Sequence, residues 1–82
     1  MTALPEAELA FVRDLVMLLK ADALAAKEAS AVGDPFEKGR QMAYFEVLDL
    51  IVSQAKAFQI DLAAIALDDF DPMRDVLINE QR

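Results

Sequence analysis

The chain has 82 residues, 56% of them hydrophobic and 28% charged, with 15 acids against 8 bases for a net charge of −7. That length corresponds to one domain near the size at which a single core only just suffices, and the apolar content excludes a disordered chain. The acidic balance disfavours direct binding of DNA or RNA, and the lack of cysteine and histidine removes disulfides, thiolate chemistry and the commonest metal ligand and general base.

No uncharged apolar run approaches the ~20 residues that cross a bilayer. The N-terminus, with Glu6 and Glu8 and no early Lys or Arg, does not resemble a secretory signal, so a cytoplasmic protein is expected.

Pro5, Glu6 and Glu8 form a helix start, with negative charge where the helix dipole favours it. The first helix is expected over about residues 5–32. Leu9, Val12, Val16, Leu19, Ala23 and Ala26 recur at three and four spacing, and Phe11, Leu15 and Leu18 form a second row beside them. Arg13, Lys20, Lys27, Glu6 and Glu28 gather on the other side, which reads as wet. The alanines from Ala21 to Ala31 would let a neighbouring helix approach closely, although high helix propensity alone also accounts for them.

Gly33 stops that helix and Asp34 restarts the chain at once, which predicts an antiparallel hairpin. Asp34, Pro35 and Glu37 make a capped start for a second helix over about residues 35–59. One seam of it holds Tyr44, Leu48, Ile51, Ala55 and Phe58. A different row holds Phe36, Gly39, Ala43, Val47, Leu50 and Ala57, and Phe45 and Val52 project to yet another side. Only Lys38, Met42, Glu46, Asp49, Ser53 and Lys56 read as a solvated strip. So much apolar girth needs more than one neighbour: the first helix, the C-terminal segment, and a further one for Phe45 and Val52 or for Gly39 and Ala43. The expected architecture is all-α, a single domain over 1–82, in which the hairpin and its short C-terminal helical segments assemble as a dimeric four-helix bundle.

Two polar residues interrupt the greasy sector of the second helix, Arg40 and Gln54. Folding about Gly33 sets Asp22 level with Tyr44 and Phe45, so a cluster of Asp22, Arg40 and Tyr44 is expected to fix the hairpin register or the dimer contact. Gln54 either pairs with its own copy across a two-fold axis or stays exposed.

Beyond Phe58 the punctuation is aspartate. Asp61 caps a short helix over about residues 62–67, and Asp71 with Pro72 begins another over about 72–79. Leu67, Phe70, Met73 and Leu77 are expected to fold back on the hairpin. Asp68, Asp69 and Asp75 are left without a capping role. Asp69, Asp71, Asp75 and Glu80 have calcium-loop spacing, but Met73 replaces an oxygen ligand, Arg74 stands where glycine is needed and Pro72 starts a helix inside the loop. No metal or cofactor site is therefore expected. The Glu46 and Asp49 pair lies on the wet strip, no glycine-rich phosphate loop exists, and the short helix after the Gln59-Ile60-Asp61 turn, Leu62 to Ala66, carries no Arg or Lys to read a DNA groove, so neither an enzyme nor a helix-turn-helix protein is expected.

Two functions survive. The first is a homodimeric protein–protein interaction module, an adaptor, regulator or assembly subunit whose partners are itself and another protein. The alternative is an acidic decoy that offers Asp68, Asp69, Asp71 and Asp75 to a basic nucleic-acid-binding protein in place of a phosphate backbone.

Overall fold

The computed structural model describes residues 6–78 and contains two long antiparallel helices, α1 (Glu6–Ser30) and α2 (Pro35–Ala57), with no strand among the described residues. The expected helix limits at residues 5 and 79, and Glu80, lie outside the described residues. Ala31, Val32 and Gly33 tighten the end of α1 into a turn. There the Gly33 N–H donates to the Ser30 carbonyl at 3.0 Å, and Gly33 takes φ 90°, the left-handed region that a side chain disfavours. Asp34 then caps α2, its Oδ1 accepting from the Phe36 N–H at 3.0 Å.

The other end of α2 closes without glycine. The Ile60 N–H reaches back to the Ala55 carbonyl at 2.8 Å and the Gln59 N–H to Lys56 at 3.0 Å, with Gln59 at φ 58°. This is the Schellman pairing, and it ends the helix at Ala57, two residues before the expected limit.

Residues 58–78, here the tail, carry a 3-10 turn (Leu62–Ile65) and a single π turn (Met73–Leu77) where short helices were expected over about 62–67 and 72–79. Asp61 and Asp71 cap them as expected, accepting from the N–H groups of Ala63 at 3.0 Å and Met73 at 3.1 Å. The tail is a third layer of the core. Val16, Ala23 and Ala26 of α1 and Leu48 and Ala55 of α2 are buried together with Ile65, Leu67 and Val76 of the tail. Leu67 and Phe70 do fold back, whereas Met73 is exposed and Val76 takes the fully buried place.

Val16 shares a buried cluster with Ala55, and Ala23 shares one with Leu48. The Ser30 hydroxyl lies 2.7 Å from Gln41 Oε1. Each step of seven residues along α1 thus matches seven along α2, and the seam of Leu9 to Ala26 is the buried one. This register overturns the expected pivot: Asp22 stands level with Asp49, nine residues or roughly 13 Å along α2 from Arg40.

The basic row of α1 is not simply wet. Arg13, Lys20 and Lys27 recur every seven residues and each donates to a tail carbonyl, those of Ala64 at 3.3 Å, Ala66 at 2.7 Å and Asp75 at 3.1 Å. Short turns leave carbonyls that their own N–H groups do not satisfy, and these side chains supply the donors. Lys20 also lies 5.1 Å from the centre of the Phe70 ring, a cation–π distance. Among the described residues, no helix is long and apolar enough to cross a membrane.

Candidate functional site

The tail lies along one side of the hairpin, touching α1 through the Arg13, Lys20 and Lys27 row and α2 through Phe45, Val52 and Gln41. At about 100° per residue, Phe11, Leu15, Leu18, Asp22, Ala25 and Ala29 fall on the opposite flank of α1. The same count puts Phe36, Arg40, Ala43, Val47, Leu50, Gln54 and Phe58 within about 80° of arc on the opposite flank of α2. Because the helices are antiparallel, these two flanks share one face of the molecule. That face is uncovered: Phe11 is 67% exposed, Phe36 69%, Leu50 61% and Phe58 71%.

Of the two rows that sequence reasoning left in need of a neighbour, the tail covers Phe45 and Val52, which pack on its buried clusters. Gly39, Ala43 and their row remain exposed. The solvated strip from Lys38 to Lys56 is exposed as expected.

The polar residues of the face differ from the expected cluster. Asp22 is exposed, whereas Arg40 hydrogen-bonds to Glu37, one turn earlier, and its guanidinium carbon stands 5.6 Å over the half-buried Tyr44 ring. The Glu37 carboxylate first, then Tyr44, holds the Arg40 guanidinium protonated above its ordinary range. Arg40 and Tyr44 thus meet and Asp22 does not join them, because the register separates it from Arg40. Gln54 is exposed and lines a cleft of about 440 Å³ at the open end of the hairpin. Its other walls are apolar, chiefly Leu9, Val12, Leu50, Ile51, Phe58 and Ile65.

The register itself is set by residues that the sequence reading did not single out. Ser30 is buried, its hydroxyl within reach of the Lys27 carbonyl at 2.9 Å and of Gln41 Oε1 at 2.7 Å, while Gln41 Nε2 donates to the Val76 carbonyl at 2.6 Å. One amide therefore ties α1, α2 and the tail together. The available signal was positional: Ser30 continues the buried row of Ala23 and Ala26, and Gln41 stands seven residues before Leu48.

In the tail, Asp68 and Asp69 are exposed, while Asp71 and Asp75 are engaged locally. Asp75 Oδ2 accepts from the Asp71 N–H at 2.9 Å and its carboxylate is paired with Arg74 at 2.8 Å. The Arg74 guanidinium, assisted by that backbone N–H, holds the Asp75 carboxyl below the usual carboxylate range. Asp75 thus has the local bonding role that sequence reasoning denied it. Among the described residues, no three His, Cys, Asp or Glu side chains are grouped to hold a metal ion.

What the uncovered face offers chemically is apolar surface with one cation, one carboxylate and one amide. Comparison of the chain with protein-family models, with curated proteins and with solved structures gives no match.

Proposed function

We propose that this chain is a small acidic protein–protein interaction module of the cytoplasm that works as a homodimer, its uncovered face buried in a four-helix core. The observation that carries this reading is the contiguous exposure of Phe11, Leu18, Phe36, Leu50 and Phe58 on one face of a chain whose tail already covers the other. Large apolar patches on small proteins mark interaction sites, because leaving them in water forfeits about 25 cal/mol per Å². The estimated area suits a second copy. α2 spans 23 residues, roughly 34 Å at 1.5 Å each. The molecule is 19 Å across. The face therefore offers roughly 650 Å² per copy, or about 1,300 Å² in all, within the ~1,200–2,000 Å² of stable interfaces.

The decoy reading draws less support. Asp71 and Asp75, half of its proposed acidic surface, already satisfy backbone N–H groups and Arg74. Light scattering on the purified protein at micromolar concentration is expected to give a mass twice the 9.1 kDa of the chain. Leu50→Glu should return it to the monomer with its helix content intact, and a clean monomer from the unsubstituted protein would end the homodimer reading.

A further inference from the structure

Taking that homodimer as given, we infer that α2 packs antiparallel against α2 of the second copy about a two-fold axis at Val47, and that Phe36 of each copy seats in the apolar cleft of the other. A symmetric interface must be complementary to itself, so each residue and the one it meets lie at equal distances on either side of the axis. The exposed row of α2 has that property about Val47. Phe36 lies eleven residues before it and Phe58 eleven after; Arg40 lies seven before and Gln54 seven after; Ala43 lies four before and Leu50 three after.

Reversed on itself, the row therefore sets aromatic against aromatic and small against large. It also sets Arg40 beside the partner's Gln54. A guanidinium has five N–H donors, so Arg40 retains capacity for the Gln54 amide oxygen while bonded to Glu37. The two polar residues of this α2 row thereby satisfy each other.

Shape gives the same orientation independently. The face is bulky at the open end of the hairpin, with Phe11, Leu15, Leu18, Leu50 and Phe58, and thin at Ala25, Ala29 and Ala43 toward the loop, where Phe36 alone projects beyond them. Reversing one copy lays thick on thin, with Leu18 against the partner's Ala29 and Leu50 against the partner's Ala43. Same-direction stacking lays bulk on bulk and leaves a gap between the alanines. The antiparallel arrangement also carries Phe36, at the loop end of one copy, to the level of Gln54 and Phe58 of the other, where the 440 Å³ cleft opens. A partner of different sequence would need neither the palindromic spacing nor the reversed taper.

The chain has no cysteine, so introduced thiols report this geometry without background. Under mild oxidation Val47→Cys is expected to convert to a disulfide-linked dimer, because residue 47 meets its own copy on the axis. Gln54→Cys alone is expected to stay unlinked, since its copies stand roughly 20 Å apart. Mixing Gln54→Cys with Arg40→Cys should yield the linked heterodimer. Self-linking of Gln54→Cys would show α2 helices running in the same direction and overturn the proposal. So would a dimer by light scattering in which neither Val47→Cys nor the Arg40→Cys and Gln54→Cys mixture links. A monomer by light scattering would remove the homodimer itself.

Discussion

At the scale of single residues, polar side chains in this protein act mainly on backbone. Lys20 and Lys27 fill tail carbonyls, Asp61 and Asp71 fill tail N–H groups, and Gln41 joins three elements through one amide. The caps were legible in the sequence because an aspartate one or two residues before a helical turn has a local function fixed by spacing. Gln41 was not legible, because its partners Ser30 and Val76 are brought to it only by the register. Asp75 yields a pH prediction. Its folded pKa is depressed, so between that value and the ordinary ~3.9 the unfolded chain binds more protons, and stability rises with pH. The Asp75 contribution is therefore fully present above about pH 4 and is lost as pH falls through the folded value. Asp75→Asn should lower stability at neutral pH by less than about 1 kcal/mol, the range of exposed pairs, and flatten the acid limb of a pH series of urea melts. An unchanged acid limb would show that the Asp75 bonds do not persist in solution.

Among the elements, the two helices were readable because Pro35, Gly33 and the three and four spacing of apolar residues all speak locally, and their limits moved only by two residues at the C-terminal ends. The tail was readable as a cover but not in its details. A 3-10 turn and a π turn leave no 3.6-residue period, and which of Met73, Val76 and Leu77 is buried depends on where the Lys and Arg row of α1 holds the chain. The same row shows why charge patterning misled. Lys20 and Lys27 looked solvated because a basic stripe usually is, whereas here both are partly buried against backbone carbonyls, and only Arg13 of the three stays exposed. Since Leu67 is only 1% exposed and packs between Val16 and Ala55, Leu67→Ala should cost about 2–4 kcal/mol. Against the roughly 4–12 kcal/mol expected of a domain this size, that is a large fraction. Urea unfolding followed by circular dichroism measures it, and a loss below about 1 kcal/mol would mean that the tail contributes little to the core.

For the whole molecule, apolar surface and net charge oppose each other. Each copy carries −7, so association brings like charges together even as it buries the phenylalanines. Two such charges treated as points about 20 Å apart repel by roughly 10 kcal/mol in unscreened water, far more than the real distribution spread over the surface would. The Debye length shortens from about 30 Å at 10 mM salt to about 8 Å at 150 mM, which removes most of that repulsion. Self-association should therefore tighten at least about tenfold over this range, a change of ~1.4 kcal/mol, as read by sedimentation at several protein concentrations. Asp22→Asn should reproduce part of the effect at low salt, because in the antiparallel pairing the two Asp22 residues lie within one turn of the two-fold axis. Capture of a basic partner by the acidic tail has the opposite sign, since screening weakens attraction between unlike charges. The direction of one salt titration thus separates the two functions that the composition alone left standing.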